Sequence, residues 1–356
     1  MHDTAAILTQ GMYRTSSAKT AHGLVRGPCR YRITAVIDAA VAGGDAGEVL
    51  DGRHRGIPLV ASLDLLLGDG RQPPRWLVVG VATTGGVLPD DMRPVLQQAL
   101  ERGISVVNGL HDQVSDSPAL AAAAASSGAA IIDIRKPKHH RDLHFFTGAI
   151  KGVKAPRLAV LGTDCALGKR TTCQVIAAAF RQRGLHAEMI YTGQTGWLQG
   201  SRFGFVLDST PNDFVAGELE HAIVSCDREM SPHLILLEGQ SALRNPAGPC
   251  GAELMLSGGA RGVILQHAPT RKYFDDQEHL HNEIPSLSSE IELIRMYGSR
   301  VLAIALNHEH VAAADREAVR ADVERESGLR AFFPLIEGCE RVYGLIERYL
   351  ADERLR

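Results

Sequence analysis

The sequence predicts an α/β protein of two domains, each built on a parallel sheet. Three observations carry this. Short runs rich in Val and Ile alternate with amphipathic segments along almost the whole chain, the pattern of strands joined by crossover helices. The chain has 356 residues, more than one hydrophobic core usually holds. A glycine-rich stretch, LGTDCALGKRTT at 161–172, sits between an apolar run and an amphipathic one, where open parallel sheets hold their ligands.

The first domain, 1–150, takes strands at 31–38 (YRITAVID), 57–62, 75–82 (RWLVVGVA), 104–110 and 129–136. Helices fit 90–102 and 117–127, and Pro118 suits the first turn of the second. The basic stretch 136–156 contains two prolines and has weak periodicity, so it reads as the connection between domains. The second domain, 151–356, restarts with a strand at 157–163. Further strands fit 187–193, 233–239 (HLILLEG), 261–268 and 300–307. Helices fit 168–183, 213–227, 288–297, 309–324 and 340–351, while 191–197 (YTGQTGW) reads as a strand ending in a glycine-rich turn.

Composition removes several classes of function. The hydrophobic fraction of 45% and charged fraction of 22% belong to a globular chain, which excludes disordered and fibrous proteins. A net charge of −3 argues against nucleic acid or a membrane surface as partner. The start of the chain has no apolar core of signal-peptide length, and no run reaches a spanning helix. The six cysteines form no CxxC pair, so free thiols in a reducing cytoplasm are expected. The histidines lack an HExxH or a matching Cys/His set, so no metal site is expected.

The loop at 162–172 has the chemistry of a phosphate cradle. Glycines let backbone N–H groups point inward, the following helix presents unpaired N–H groups, and a lysine adds full charge. Gly162, Thr163, Asp164, Cys165, Ala166, Gly168, Lys169, Arg170, Thr171 and Thr172 are its candidate ligand-binding residues. The spacing departs from the usual ATP loop in two places: five residues separate Gly162 from Gly168, and Arg170 stands where a hydroxyl would follow the lysine. In an ATP loop that hydroxyl binds Mg²⁺. Thr171 and Thr172 project about 100° or more further round the helix.

Other candidates lie at strand ends. Glu238 closes the apolar run of 233–239, beside the loop in a parallel sheet. Asp213 opens a helix, where it could act in catalysis or simply cap. Gln194, Thr195 and Gly196 form the polar turn after 187–193. Arg271 and Lys272 give a strand end a cationic tip suited to carboxylate or phosphate.

These motifs together resemble a known family. GTDCALGKRTT, YTGQTGW, NDFVAGELE, LLEGQSAL and QHAPTRK carry the resemblance, with AKTAHGLVR, AVIDAAVAGGDAGEV, LVVGVATTGG and GLHDQVSD in the first domain. The family was long catalogued only as a domain of unknown function. Its characterised members are described as N-acetyltransferases acting on D-glutamate. The resemblance implies a Rossmann-like N-terminal domain, a P-loop NTPase-like C-terminal domain and acetyl transfer from acetyl-CoA to D-glutamate. The loop is also similar to that of dethiobiotin synthetase, where Thr directly follows Lys; that likeness implies an Mg-ATP-dependent kinase or ligase instead. A nucleotide-binding regulatory protein is the non-enzyme alternative. The acetyl-transfer reading makes Glu238, Asp213 and Lys169 the catalytic candidates, with His267 as a further base. It makes Gln194, Thr195, Gly196, Arg271 and Lys272 the substrate contacts. A cytoplasmic homo-oligomer is expected.

Overall fold

The structure is a computed structural model that describes residues 3–68, 70 and 72–355. Its described residues form two compact units. The first comprises the chain up to Lys138 together with Gly193–Ser201; the second comprises His139–Thr192 and the chain from Arg202 onward.

In the first unit, β1 (Thr4–Leu8), β2 (Arg32–Ile37), β3 (Leu59–Val60), β4 (Trp76–Val79), β5 (Ser105–Asn108) and β6 (Ile131–Asp133) pair in parallel in the order β3-β2-β1-β4-β5-β6. This is the order of a doubly wound nucleotide-binding sheet. Helices α1 (Lys19–Arg26), α2 (Ala46–Asp51), α3 (Leu63–Gly68), α4 (Met92–Glu101) and α5 (Pro118–Ser127) make the crossovers. Both faces of the sheet are covered, so β4 and β5 are buried along their whole length and read as unbroken apolar runs.

In the second unit, β7 (Arg157–Gly162), β8 (Ala187–Ile190), β9 (Leu234–Glu238), β10 (Gly262–His267), β11 (Arg300–Leu306) and β12 (Ala331–Phe332) pair in parallel in the order β12-β11-β10-β7-β9-β8. Around them lie α6 (Lys169–Gln182), α8 (Asn212–Met230), α9 (Ala252–Leu256), α10 (Leu287–Met296), α11 (Arg316–Ser327), α12 (Pro334–Glu337) and α13 (Glu340–Arg354), with α7 (Gln194–Leu198) contributed to the first unit. The predicted α/β class, with a parallel sheet in each half, is what forms.

Three expectations change. The stretch at 194–198 is a short helix, α7, rather than a turn. Its Leu198 is fully buried in the cluster that also holds Leu24 and Val25 of α1 and Val78 and Val107 of the sheet, with Trp197 packed against that cluster, and this burial outweighs the weak local helix signal. The helix expected over 309–324 begins only at Arg316, because Asn307 Oδ1 accepts the Glu309 N–H and His310 is left-handed at φ +59°.

The third change concerns 136–156. Much of this stretch is a strap docked on α8, and the boundary expected at 150/151 falls inside it. Glu218 accepts the His144 N–H at 2.9 Å. Glu220 accepts the Thr147 and Ile150 N–H groups at 2.7 and 3.1 Å, and Asp227 takes those of Lys154 and Ala155. The Glu218 and Glu220 carboxylates, buried at 2–3% exposure, and the half-buried Asp227 thus replace secondary structure as the partners of loop donors. Gly217 makes the close approach possible, since a Cβ there would sit 2.0 Å from the His144 carbonyl oxygen.

Candidate phosphate-binding site

The loop joins β7 to α6 at the carboxyl end of the second sheet, with β10 on one side of β7 and β9 on the other. Gly168 turns the chain into α6 at φ +102°, a conformation that favours glycine. The first turn of α6 then presents N–H groups without intrahelical partners. It contains no acidic residue, and it begins with Lys169 and Arg170.

Lys169 is buried and folds back over the loop. Its ammonium donates to the carbonyl oxygens of Asp164 at 2.6 Å and Ser241 at 2.8 Å, which leaves its third N–H available to a ligand. Burial pulls its pKa below the usual lysine range, opposed by neighbouring Cys165 and Asp164.

Asp164 fixes the shape of the loop and is fully buried. Its Oδ2 accepts from Arg271 Nη1 at 2.7 Å and from the Asp275 N–H at 2.8 Å. Its Oδ1 accepts from the Cys165 N–H at 2.6 Å and from Asn245 Nδ2 at 3.3 Å. Asn245 is tied in turn to Gln277 at 2.9 Å. One carboxylate therefore joins the loops that follow β7, β9 and β10.

Glu238 ends β9 at 4% exposure. Its Oε2 accepts the Thr192 N–H at 3.1 Å, and its Oε1 lies 3.6 Å from Arg170 Nη1. Burial raises its pKa above the ordinary glutamate value, against the pull of Arg170, the Thr192 N–H and Lys169. Such a carboxylate holds a proton more readily than a solvated one, as a base near neutral pH requires.

The hydroxyls of the loop are largely committed. Thr172 donates to Gln266 Oε1 at 2.5 Å, and the Thr163 hydroxyl meets His267 Nδ1 at 3.1 Å. Burial pushes the His267 pKa down to about 4, so its imidazole is neutral at pH 7.

The structure thus joins Lys169, Asp164 and Arg271 in one hydrogen-bonded network and pairs Arg170 with Glu238. Arg271 is engaged by Asp164, so it serves the loop. Lys272 is exposed and pairs with Glu283 at 3.0 Å. Asp213 is exposed in the first turn of α8. Gln194, Thr195 and Gly196 belong to the first unit and are buried there, with Thr195 Oγ1 3.4 Å from Thr20 Oγ1. Sequence reasoning passed over Asn245 and Gln266. The signal for Gln266 was present: it is the polar residue that interrupts the apolar run of β10.

Sheet order, loop and strand-end carboxylate define a protein with one P-loop-type domain and one Rossmann-like domain. The chain belongs to the domain-of-unknown-function family DUF1611. The model of that family's P-loop domain matches residues 144–343, and the model of its Rossmann-like domain matches residues 39–137. A protein of Tritonibacter scottomollicae named D-glutamate N-acetyltransferase is 31% identical over 277 residues, covering 75% of this chain and 80% of that protein. A Pseudoalteromonas protein of the same name is 29% identical over equal shares. The crystal structure of a DUF1611 family protein from Anabaena variabilis ATCC 29413 is also similar. It is 29% identical, with a TM-score of 0.88 over 97% of this chain and 99% of that one. No helix among the described residues is long and apolar enough to cross a membrane.

Proposed function

We propose that this protein is an N-acetyltransferase that moves an acetyl group from acetyl-CoA to the amino group of D-glutamate. The names of two relatives at about 30% identity support the reaction. The single structural observation that carries it is the loop's cationic first turn. Lys169 and Arg170 stand at an acid-free helix N-terminus, and the Arg170 Nε is buried without a hydrogen-bond partner. That donor set fits the pyrophosphate of coenzyme A.

The co-substrate would bring an activated thioester whose carbonyl carbon takes the amine as its C–S bond breaks. The residues of the chain have three tasks. The start of α6, with Lys169 and Arg170, holds the phosphates. Asp164, braced by Arg271 and Asn245, keeps the loop in shape. Glu238 takes the proton that the ammonium must lose before nitrogen can attack, and its burial raises its proton affinity toward that task. Glu238 is preferred to Asp213 because it is buried beside the loop cations, whereas Asp213 is exposed. An Mg-ATP reaction is less well supported, since the place of the metal-binding hydroxyl is taken by Arg170.

The test is product identity. Incubation with acetyl-CoA and D-glutamate should give N-acetylglutamate by mass spectrometry, with L-glutamate and D-aspartate as slower acceptors. Absence of an acetylated product with every acceptor would overturn the reading.

A further inference from the structure

P-loop folds that bind nucleotides hold Mg²⁺ between the hydroxyl after the lysine and an acid at the end of a nearby strand. Neither ligand fits that metal here. Arg170 occupies the position of the hydroxyl, and the strand-end acid, Glu238, has Oε1 3.6 Å from Arg170 Nη1. The next hydroxyl, Thr171, lies about 100° further round the helix. Thr172 is 1% exposed and gives its proton to Gln266.

Two further observations show what Arg170 lacks. Its Nε is buried without an acceptor, a condition that costs about 1–3 kcal/mol when uncompensated. Its charge also stands with that of Lys169 in the first turn of α6, which has no acid of its own and where the helix dipole disfavours cations. An anion delivered to the first turn of α6 relieves the second condition and gives the two cations a shared partner.

We infer that the guanidinium of Arg170 is a built-in replacement for the divalent cation, so that the loop binds a diphosphate ester without metal. Glu238 holds the guanidinium as it would otherwise hold Mg²⁺. This rests on reading the loop as the phosphate site of the co-substrate, and it does not depend on acetyl transfer.

The experiment is calorimetric titration of the full chain with CoA and with ADP, each in EDTA and in Mg²⁺. It compares wild type, Arg170→Thr and Arg170→Lys, with melting curves to show that each is folded. Wild type should bind CoA equally in EDTA and in Mg²⁺. Arg170→Thr should lose roughly tenfold or more in EDTA, the value of a charge-assisted hydrogen bond, and recover part of it with Mg²⁺. Arg170→Lys should fall between. ADP binding that matches CoA would assign recognition to the diphosphate; tighter CoA binding would add its ribose phosphate. Wild-type binding that requires Mg²⁺, or Arg170→Thr binding as tight as wild type in EDTA, would overturn the inference. Should neither ligand bind wild type, the phosphate-site reading falls with it. Metal-free binding without acetyl transfer would remove only the proposed reaction.

Discussion

Arg271 Nη1 donates to Asp164 Oδ2 at 2.7 Å, and Asp164 is fully buried within the loop that it shapes. The pair joins the loop that follows β10 to the loop that follows β7. Removing the guanidinium would leave a buried carboxylate supported only by Asn245 and two backbone N–H groups. Breaking one side of a buried pair costs roughly 3 kcal/mol. Arg271→Ala should therefore lower stability by about that much in urea denaturation. Arg271→Lys, which keeps the charge but not the fork, should recover part of it. Wild-type stability in Arg271→Ala would show that the pair adds nothing.

The strap on α8 depends on the absence of a side chain at position 217. A Cβ there would lie 2.0 Å from the His144 oxygen and 2.5 Å from the Phe145 carbonyl carbon, both backbone atoms. Gly217→Ala should cost about 2 kcal/mol through this overlap, even though alanine is the better helix former. The urea midpoint would report it, and faster amide exchange in 143–150 would locate it. A stabilised variant would contradict the packing described.

His267 should make stability fall in mild acid. Burial holds its pKa at about 4 in the folded protein, against an ordinary value of 6.5. Between those values the unfolded chain binds the extra proton. Its contribution is thus fully present above pH 6.5 and is lost progressively as the pH drops toward 4. The loss amounts to roughly 3 kcal/mol. Melting temperatures of wild type and His267→Gln from pH 7 to pH 4 would test this, and the variant should lack that part of the decline.

Glu238 should set the acid limb of the pH–rate profile. Its pKa lies above the ordinary 4.5, so activity should fall as the pH drops through that raised value, where the base becomes protonated. Glu238→Gln should lower kcat by on the order of 10²-fold or more and remove the limb. A profile unchanged in the variant would assign the base elsewhere.

Much of this was legible in the sequence. The runs 157–163, 233–239 and 261–268 are apolar because both faces of their strands are buried, and they became β7, β9 and β10. Lys169, Arg170 and Glu238 could be named because glycine spacing and a strand-end acid are local patterns. The rest was not legible because it depends on distant partners. Leu198 favours a helix at α7 through its burial in the core of the first unit, which the local sequence does not show. The strap at 143–150 has no periodicity of its own and takes its form from carboxylates some seventy residues away in sequence. Arg271 looked free to meet a substrate, because nothing local shows that Asp164 engages it.

The measurement that tests the central claim most directly is the initial rate of thiol release from acetyl-CoA. D-glutamate is the acceptor, EDTA is present and nucleotide is absent; wild type and Lys169→Ala are compared. The account predicts thiol release that needs D-glutamate, is unaffected by EDTA, and falls steeply in Lys169→Ala. No thiol release, with ADP formed from Mg-ATP instead, would contradict it.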